Sequence, residues 1–370
     1  MFQKIVVASD SFKGCLTARE VADAVAAAFP AGTEVVKLAM ADGGEGTAET
    51  VVQCSGGRMI SAAAADPLMR PIEASYAIDG QGTAFVELAA ASGLTLLRED
   101  ERNPLLATTY GTGLLLVDAL KHGCRRAVIC VGGSATNDCA TGMLSALGFR
   151  FLDSQGNRLR GCGDELERIT EIDSSGVIPE LKDTLVSVAC DVDAPFCGLR
   201  GAAYVFAAQK GADEATIERL DKGMQHFAEV IRGATGTDIS NMRGAGAAGG
   251  VAGGLMALCR ARPESGAALV AKAIGLEKAI EGASLVITGE GRIDAQTLGG
   301  KAPLEVMNLA RKARVSVIAI AGRVENRDEL LAAGFDRIIE VTPRSMPLSQ
   351  AIDPRIAIHN ITCSIRNFIA

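Results

Sequence analysis

The chain has 370 residues, enough for two or three domains at roughly 150 residues each, and its 48% apolar and 22% charged residues are ordinary for a folded protein. This composition excludes disordered and fibrous proteins. The net charge of −7 is not gathered into long runs and aromatic residues make up only 4%, so we expect neither nucleic acid nor an anionic membrane as a partner.

The amino-terminal segment MFQKIVVASD has too short an apolar stretch for a signal peptide and predicts a first β-strand. No apolar stretch reaches the roughly 20 residues that a membrane helix needs. Ten cysteines are scattered without a CxxC pair, which favours reduced thiols over a zinc ribbon or a thioredoxin-type site. These features predict a cytoplasmic protein.

Short β-branched apolar runs ending in Gly, Ser or Asp recur along the chain and indicate buried parallel strands. These runs span Ile5–Asp10, Glu34–Met40, Ala127–Gly133, Thr184–Asp191, Leu285–Gly289 and Val315–Gly322. Amphipathic stretches lie between them, such as Thr17–Phe29, where Thr17 and Glu20 have the spacing of a helix capping box. The alternation predicts an α/β fold.

One segment interrupts this alternation. Arg58–Ala64, Arg70–Ile78 and Thr83–Leu88 predict short antiparallel strands separated by turn residues. We therefore predict two α/β domains with the active site in the cleft between them. Residues 1–65 and 283–370 would form a discontinuous Rossmann- or flavodoxin-like domain with a largely parallel sheet. Residues 66–282 would form an inserted domain with a mixed sheet.

Two polar, glycine-containing segments follow the first two predicted strands. In Ser9–Gly14, Ser11 and Lys13 precede a predicted helix, where an anion would meet unpaired N–H groups; an ordinary helix cap with a solvated lysine is the alternative. In the second, Asp42–Thr47, carboxylates suit Mg²⁺ or a general base, and the glycines Gly43 and Gly44 would let a phosphate approach the backbone. A tight turn explains only the aspartate.

Two further segments have the same character. Gly132–Asp138 gathers short polar side chains typical of a ligand loop, among them Ser134, Asn137 and Asp138. Thr288–Asp294, with Lys301 downstream, is the other. There Glu290 and Asp294 suit a metal ion, whereas Arg292 and Lys301 suit phosphoryl oxygens; surface ion pairs are the alternative. Asp191 and Asp193 form a lesser acidic pair at another predicted strand end.

Several familiar nucleotide-binding and catalytic motifs are either absent or lack the expected structural context. Gly244–Gly249 matches GxGxxG, but no strand is predicted before it, so a dinucleotide-dependent oxidoreductase is disfavoured and close helix packing or a phosphate-facing helix start is preferred. The sequence has no P-loop, protein-kinase, HExxH or GxSxG motif. The four candidate segments contain lysines, acids, hydroxyl-bearing residues and glycines. This set of residues suits phosphoryl transfer.

The ordered motifs resemble those of the bacterial type-1 glycerate kinase family over nearly the whole chain. They are DSFKG (10–14), ADGGEGT (41–47), GGSATND (132–138), CDVDAPFCG (190–198), GAAYVFAAQKGA (201–212), GAGAAGG (244–250), LVITGEGRIDAQT (285–297) and GKAP (300–303). The resemblance implies an ATP- and Mg²⁺-dependent kinase that converts D-glycerate to 2-phosphoglycerate. Cys139 and Ala140 depart from it, since glycines usually follow the ATND motif.

The expected roles follow from this chemistry. Lys13 would neutralise a phosphoryl or carboxylate oxygen, and Asp42 would accept the hydroxyl proton, with Asp191 as the alternative base. The remaining candidates are Glu290 and Asp294 for Mg²⁺, and Ser11, Gly43, Gly44, Ser134, Asn137, Asp138, Arg292 and Lys301 for substrate or phosphate. A related hydroxy acid, a 3-phosphorylated product and a non-catalytic phosphometabolite-binding regulator stay open, as does the oligomeric state.

Overall fold

A computed structural model describes residues 3–370. Its internal contacts divide the chain into two compact units. The first unit comprises the described residues up to Asp42, together with Gln53–Ser55 and Ser265–Ala370, and the second comprises Gly43–Val52 and Gly56–Glu264. Across residues 3–370, none of the helices combines the length and the apolar character needed to span a bilayer.

The strands are β1 (Lys4–Ser9), β2 (Glu34–Ala39), β3 (Arg58–Ala65), β4 (Pro71–Ile78), β5 (Thr83–Glu87), β6 (Arg126–Cys130), β7 (Arg150–Leu152), β8 (Glu171–Asp173), β9 (Leu185–Ala189), β10 (Arg262–Glu264), β11 (Leu285–Ile293), β12 (Val317–Val324) and β13 (Arg337–Glu340). The helices are α1 (Ala18–Ala26), α2 (Thr47–Ser55), α3 (Ala89–Ser92), α4 (Tyr110–Lys121), α5 (Thr141–Ala146), α6 (Ala202–Phe206), α7 (Glu214–Thr235), α8 (Ala247–Leu258), α9 (Gly266–Ala273), α10 (Leu276–Ile280), α11 (Ala302–Lys312), α12 (Arg327–Ala333), α13 (Leu348–Ala351) and α14 (Pro354–Ile369).

The first unit contains a five-stranded, wholly parallel sheet in the order β13-β12-β11-β1-β2. Ile5 in β1 pairs with Leu285 in β11, so both ends of the chain contribute to one sheet, as predicted. The predicted capping box of α1 is also confirmed. The Thr17 hydroxyl accepts from the Glu20 N–H at 3.2 Å, and the Glu20 carboxylate accepts from the Thr17 N–H at 2.8 Å.

The order of this sheet creates a topological switch point. The chain leaves β1 towards β2 on one side and leaves β11 towards β12 on the other. Ligands of parallel α/β sheets bind beyond the carboxyl ends of two such strands. Asp10 follows β1 at this place, and its N–H donates to the Gly289 carbonyl of β11 at 2.9 Å.

Strand β11 is longer than the prediction, which ended it at Gly289. The glycines Gly289 and Gly291 let neighbouring backbones approach closely: a Cβ on Gly289 would lie 2.3 Å from the Ile320 carbonyl oxygen. The strand therefore continues to Ile293, and Glu290 is paired in register with Ala321 of β12. Glu290 and Arg292 consequently belong to a strand and not to a glycine loop.

The second unit contains a six-stranded mixed sheet in the order β10-β9-β6-β5-β4-β3. The first four of these strands are parallel, whereas β4 pairs antiparallel with β5 and β3, as the turn signals predicted. Strand β3 pairs with β4 along its whole length, from Arg58–Ile78 to Ala65–Pro71. The second unit comprises Gly43–Val52 and Gly56–Glu264, whereas the inserted domain was predicted at residues 66–282.

Candidate active site

Asp10 is a buried acid with a raised pKa at the switch point of the first unit. Its side chain is buried, with the residue only 8% exposed, and its Oδ1 accepts from the Ser11 N–H at 2.6 Å. Burial and, secondly, the negative charge of Asp42 raise the pKa of Asp10 from 3.8 to about 6. Glu290 contributes in the same direction. Three carboxylates therefore act on one another at this strand edge.

Lys13 supplies positive charge to these acids. Its Nζ lies 3.6 Å from Oδ2 of Asp42, and its side chain is 79% exposed whereas that of Asp42 is 28% exposed. The carboxylate of Asp42 raises the pKa of Lys13, so the ammonium form is stabilised. An exposed, permanently charged ammonium beside a carboxylate is suited to meeting an anionic ligand from solvent.

The predicted position of Lys13 at a helix amino terminus is wrong. Lys13 lies in a tight turn closed by the Phe12 N–H donating to the Leu16 carbonyl at 2.9 Å, four residues before the N-cap Thr17. The amino terminus of α1 is already satisfied by its own capping box. Lys13 therefore offers its side-chain charge alone and not a helix dipole.

The acids of the fourth predicted segment are engaged by neighbouring side chains. Glu290 accepts from the Thr297 hydroxyl at 2.7 Å and from Lys301 Nζ at 3.4 Å, and burial raises the pKa of Glu290. Asp294 caps the turn that follows β11 by accepting from the Gln296 N–H at 2.9 Å. The ion-pair alternative considered for this segment therefore describes part of its structure.

Arg292 is engaged in the same way. Its side chain pairs with Asp294 at 3.3 Å and with Glu325 at 2.8 Å, and it is 59% exposed. Exposed pairs of this kind contribute little to stability, so the guanidinium can exchange partners at small cost.

In the second unit, the loops at residues 43–46 and 132–133 pack directly on each other. A Cβ on Gly132 would lie 2.9 Å from Cα of Gly44, and one on Gly133 would lie 2.3 Å from Oε1 of Glu45. The glycines are thus explained partly by close packing. The amino terminus of α2 is satisfied by Glu87, whose Oε1 accepts from the Ala48 N–H at 2.7 Å.

Three predicted ligand-binding side chains of the loop at 132–138 are buried. Ser134 bonds Thr136 within the loop, through the Thr136 N–H at 3.1 Å and the Thr136 hydroxyl at 3.0 Å. Asn137 and Asp138 have no exposed surface, and Asp138 accepts from the Thr109 N–H and hydroxyl at 2.8 and 2.7 Å. In this conformation these side chains build the loop, while the backbone at Gly132 and Gly133 is its accessible part.

Asp191 and Asp193 are exposed on the loop after β9. Asp193 forms a two-pronged ion pair with Arg243, at 2.5 and 2.9 Å. Because β6 and β9 are parallel neighbours, Asp191 lies at the same sheet edge as Gly132 and Gly133. The glycines at 244–250 serve close packing, one of the two interpretations made from the sequence: a Cβ on Gly249 would lie 2.2 Å from the Thr136 carbonyl oxygen.

Asp10, Glu87 and Lys210 were not among the candidate residues predicted from the sequence. Asp10 and Glu87 are signalled by their positions at the ends of predicted strands. Lys210 carried no signal, because only the tertiary structure reveals that its side chain is buried.

The residues present fit Mg²⁺ without a protein cage. Among residues 3–370, no group of three or more His, Cys, Asp or Glu side chains is arranged to hold a metal ion. Mg²⁺ is commonly held by one or two carboxylates together with substrate phosphates and water, so such a cage is not required. The pKa of Asp10 is raised first by burial and second by the charge of Asp42, and a divalent cation would offset the repulsion between the two carboxylates.

The chain is an α/β protein in which a lysine and carboxylates meet at a topological switch point, an arrangement suited to a phosphotransferase. The sequence profile described as the Glycerate kinase family matches residues 5–369. The chain belongs to the glycerate kinase family, as its motifs indicated, and membership favours a catalyst over the non-catalytic regulator.

Individual proteins agree with this assignment. The chain is 43% identical to the glycerate 2-kinase of Escherichia coli (strain K12), over 99% of this chain and 97% of that protein. It is 42% identical to a glycerate kinase of Bacillus subtilis (strain 168), over 95% and 93%. A crystal structure of a protein provisionally named glycerate kinase 2, from Salmonella typhimurium LT2, covers 100% of this chain with a TM-score of 0.89 and 40% identity, and 97% of that protein is matched.

Proposed function

We propose that this enzyme transfers the terminal phosphoryl group of ATP to D-glycerate and that its product is 2-phosphoglycerate. The observation that carries the proposal is the ion pair of Lys13 and Asp42 beside the buried Asp10, within motifs that resemble those of the family. The name of the Escherichia coli relative, glycerate 2-kinase, supports phosphorylation at the 2-position.

In this proposal Lys13 offsets the charge of a phosphoryl oxygen and Asp42 accepts the proton of the attacking hydroxyl. Their ion pair orients the Asp42 carboxylate before substrate arrives. Asp191 is the alternative base, because it is exposed at a carboxyl strand edge. The backbone at Gly132 and Gly133 would contact a substrate anion through its accessible surface.

Asp10 and Glu290 would hold Mg²⁺, which supplies positive charge to the phosphates of ATP. Asp294, predicted as a second ligand, would act through the turn that it caps. Arg292 and Lys301 pair with acids in this structure. They would turn towards the phosphoryl oxygens as negative charge develops there in the transition state.

Phosphorus NMR of one reaction mixture tests the proposal. The enzyme is incubated with ATP, Mg²⁺ and D-glycerate, and the new phosphomonoester resonance is compared with added 2- and 3-phosphoglycerate. We expect the resonance of 2-phosphoglycerate. A 3-phosphoglycerate resonance would overturn the position, and turnover of a different hydroxy acid in preference to D-glycerate would overturn the substrate.

A further inference from the structure

Lys210 is a buried charge in the second unit that the proposed reaction does not use. It lies in the turn at 208–210, is only 2% exposed, and its Nζ donates to the Thr136 carbonyl at 2.6 Å. Fully buried lysines are rare because removing an ammonium from water is costly. This one is directed at the backbone of the loop at 132–138.

A buried charge of opposite sign holds the same loop two residues after Thr136. The Asp138 carboxylate accepts from the backbone N–H and hydroxyl of Thr109 and from the Gly142 N–H at 3.2 Å. Asp138 and the Cys139 thiol are the titratable groups whose charges act on Lys210. Burial lowers the pKa of Lys210 to about 8, and Asp138 opposes that shift.

The backbone directly after these anchors is strained. Cys139 and Ala140 have φ of 53° and 65°, a region that residues other than glycine rarely adopt. Asn137 Oδ1 is buried and has no hydrogen-bond partner among the described residues. A loop with such features keeps its conformation only when surrounding contacts impose it.

We propose that Lys210 is a positioning residue, whose ammonium fixes the Thr136 carbonyl and thereby holds Gly132 and Gly133 in the conformation that binds a substrate anion. The inference rests on the proposed function in one respect, namely that this loop contacts a substrate. The hydrogen bond and its burial are independent of that function.

Lys210→Met tests the proposal, because methionine fills similar space without a donor. We expect the KM for ATP or D-glycerate to rise about tenfold while kcat changes less than threefold. Amide hydrogen exchange over residues 132–140 should accelerate about tenfold in the same variant. Lys210→Gln, which retains a donor but not the charge, should recover the wild-type KM only in part. Lys222→Met, at an exposed lysine of the same unit, should change none of these values.

The pH dependence of KM gives a second test, because it depends on the charge of Lys210. Since the pKa of Lys210 is lowered to about 8 by burial, the ammonium is lost as pH rises through that value. The wild-type KM should therefore rise between pH 7 and pH 9.5, and the KM of Lys210→Met should not follow it.

Three results would overturn the positioning role. One is a Lys210→Met enzyme with unchanged KM values and unchanged loop exchange, and another is a flat wild-type KM across this pH range. The third applies if Lys210→Met does not fold: a Lys210→Gln enzyme with the wild-type KM and wild-type loop exchange would show that the ammonium is not needed to hold the loop. If the wild type fails to phosphorylate D-glycerate, the proposed function fails, but loop exchange still decides the role of Lys210.

Discussion

In the proposed reaction Lys13 offsets phosphoryl charge and Asp42 accepts the hydroxyl proton, so single substitutions at this ion pair test the proposal. Lys13→Ala and Asp42→Asn should each lower kcat by about a hundredfold, because one removes a charge and the other a base. Steady-state ADP release measures the effect, and circular dichroism should show folded proteins, since Lys13 is mostly exposed.

Matched controls exist in the same unit. Lys37 and Asp23 form an ion pair at 2.6 Å, with both side chains 48% exposed. Lys37→Ala and Asp23→Asn should leave kcat within twofold of wild type. A kcat within threefold of wild type for both Lys13→Ala and Asp42→Asn would remove this pair from the chemistry, and Asp191 would become the base to test.

The buried carboxylate of Asp10 should lower the stability of the protein at neutral pH, although the proposed reaction uses it to hold Mg²⁺. Its folded-state pKa of about 6, raised mainly by burial, exceeds the ordinary 3.8. The folded protein therefore binds this proton more tightly than the unfolded chain, and stability falls as pH rises from about 4 to 6. Asp10→Asn should be more stable than wild type at pH 7.5 by about 1–3 kcal/mol, and nearly equal to it at pH 4.

Urea unfolding at the two pH values measures this difference, with Asp23→Asn as an exposed control that should show none. The same Asp10→Asn enzyme should need more Mg²⁺ for half-maximal activity. Lower stability of Asp10→Asn at pH 7.5 would contradict the account of a buried, repelled carboxylate.

Among the elements, helix α8 depends on glycine where it meets the loop at 132–138. Gly249 has φ of +68°, and a Cβ there would lie 2.2 Å from the Thr136 carbonyl oxygen. Gly249→Ala should lower the free energy of unfolding by about 2–4 kcal/mol, combining backbone strain with overpacking. Urea denaturation measures this loss.

Gly233 in α7 provides the comparison, since a Cβ there would meet no atom within 4 Å. Gly233→Ala should raise the free energy of unfolding by up to about 1 kcal/mol, because alanine favours helix. Equal stabilities of the two variants would show that a Cβ at position 249 does not clash with the Thr136 carbonyl oxygen.

The sequence predicted those elements whose signals are local. The capping box of α1 depends on residues three apart, and the antiparallel strands β3–β5 depend on adjacent turns, so both were confirmed. The extension of β11 through Glu290 was missed, because Gly289 is required by contact with β12 and not by a turn.

The candidate site was predictable only in part for a similar reason. The sequence indicates which polar residues follow strands, and it singled out Lys13 and Asp42 in such segments. Glu290 was also predicted to follow a strand, whereas β11 continues through it. Whether a polar side chain points towards a ligand or into the core depends on distant packing. Asp138 and Lys210 became buried anchors because elements remote in sequence cover them.

At the scale of the whole molecule, both chain ends build one parallel sheet and the middle of the chain builds another. The pairing of β1 with β11 joins residues 280 positions apart, as the register of Ile5 with Leu285 shows. The return of strand–helix alternation near the carboxyl terminus was sufficient to predict this. The antiparallel pairing of β3 with β4 was predicted, but the predicted domain boundary at residue 66 separated β3 from its partner strand.

The most direct test of the account is coupled measurement of ADP release by the purified wild-type enzyme with ATP, Mg²⁺ and D-glycerate. We predict release that depends on both D-glycerate and Mg²⁺, and that falls about a hundredfold in Lys13→Ala purified in parallel. Release no faster than the blank without glycerate, while D-glycerate still binds in calorimetry, would contradict the account.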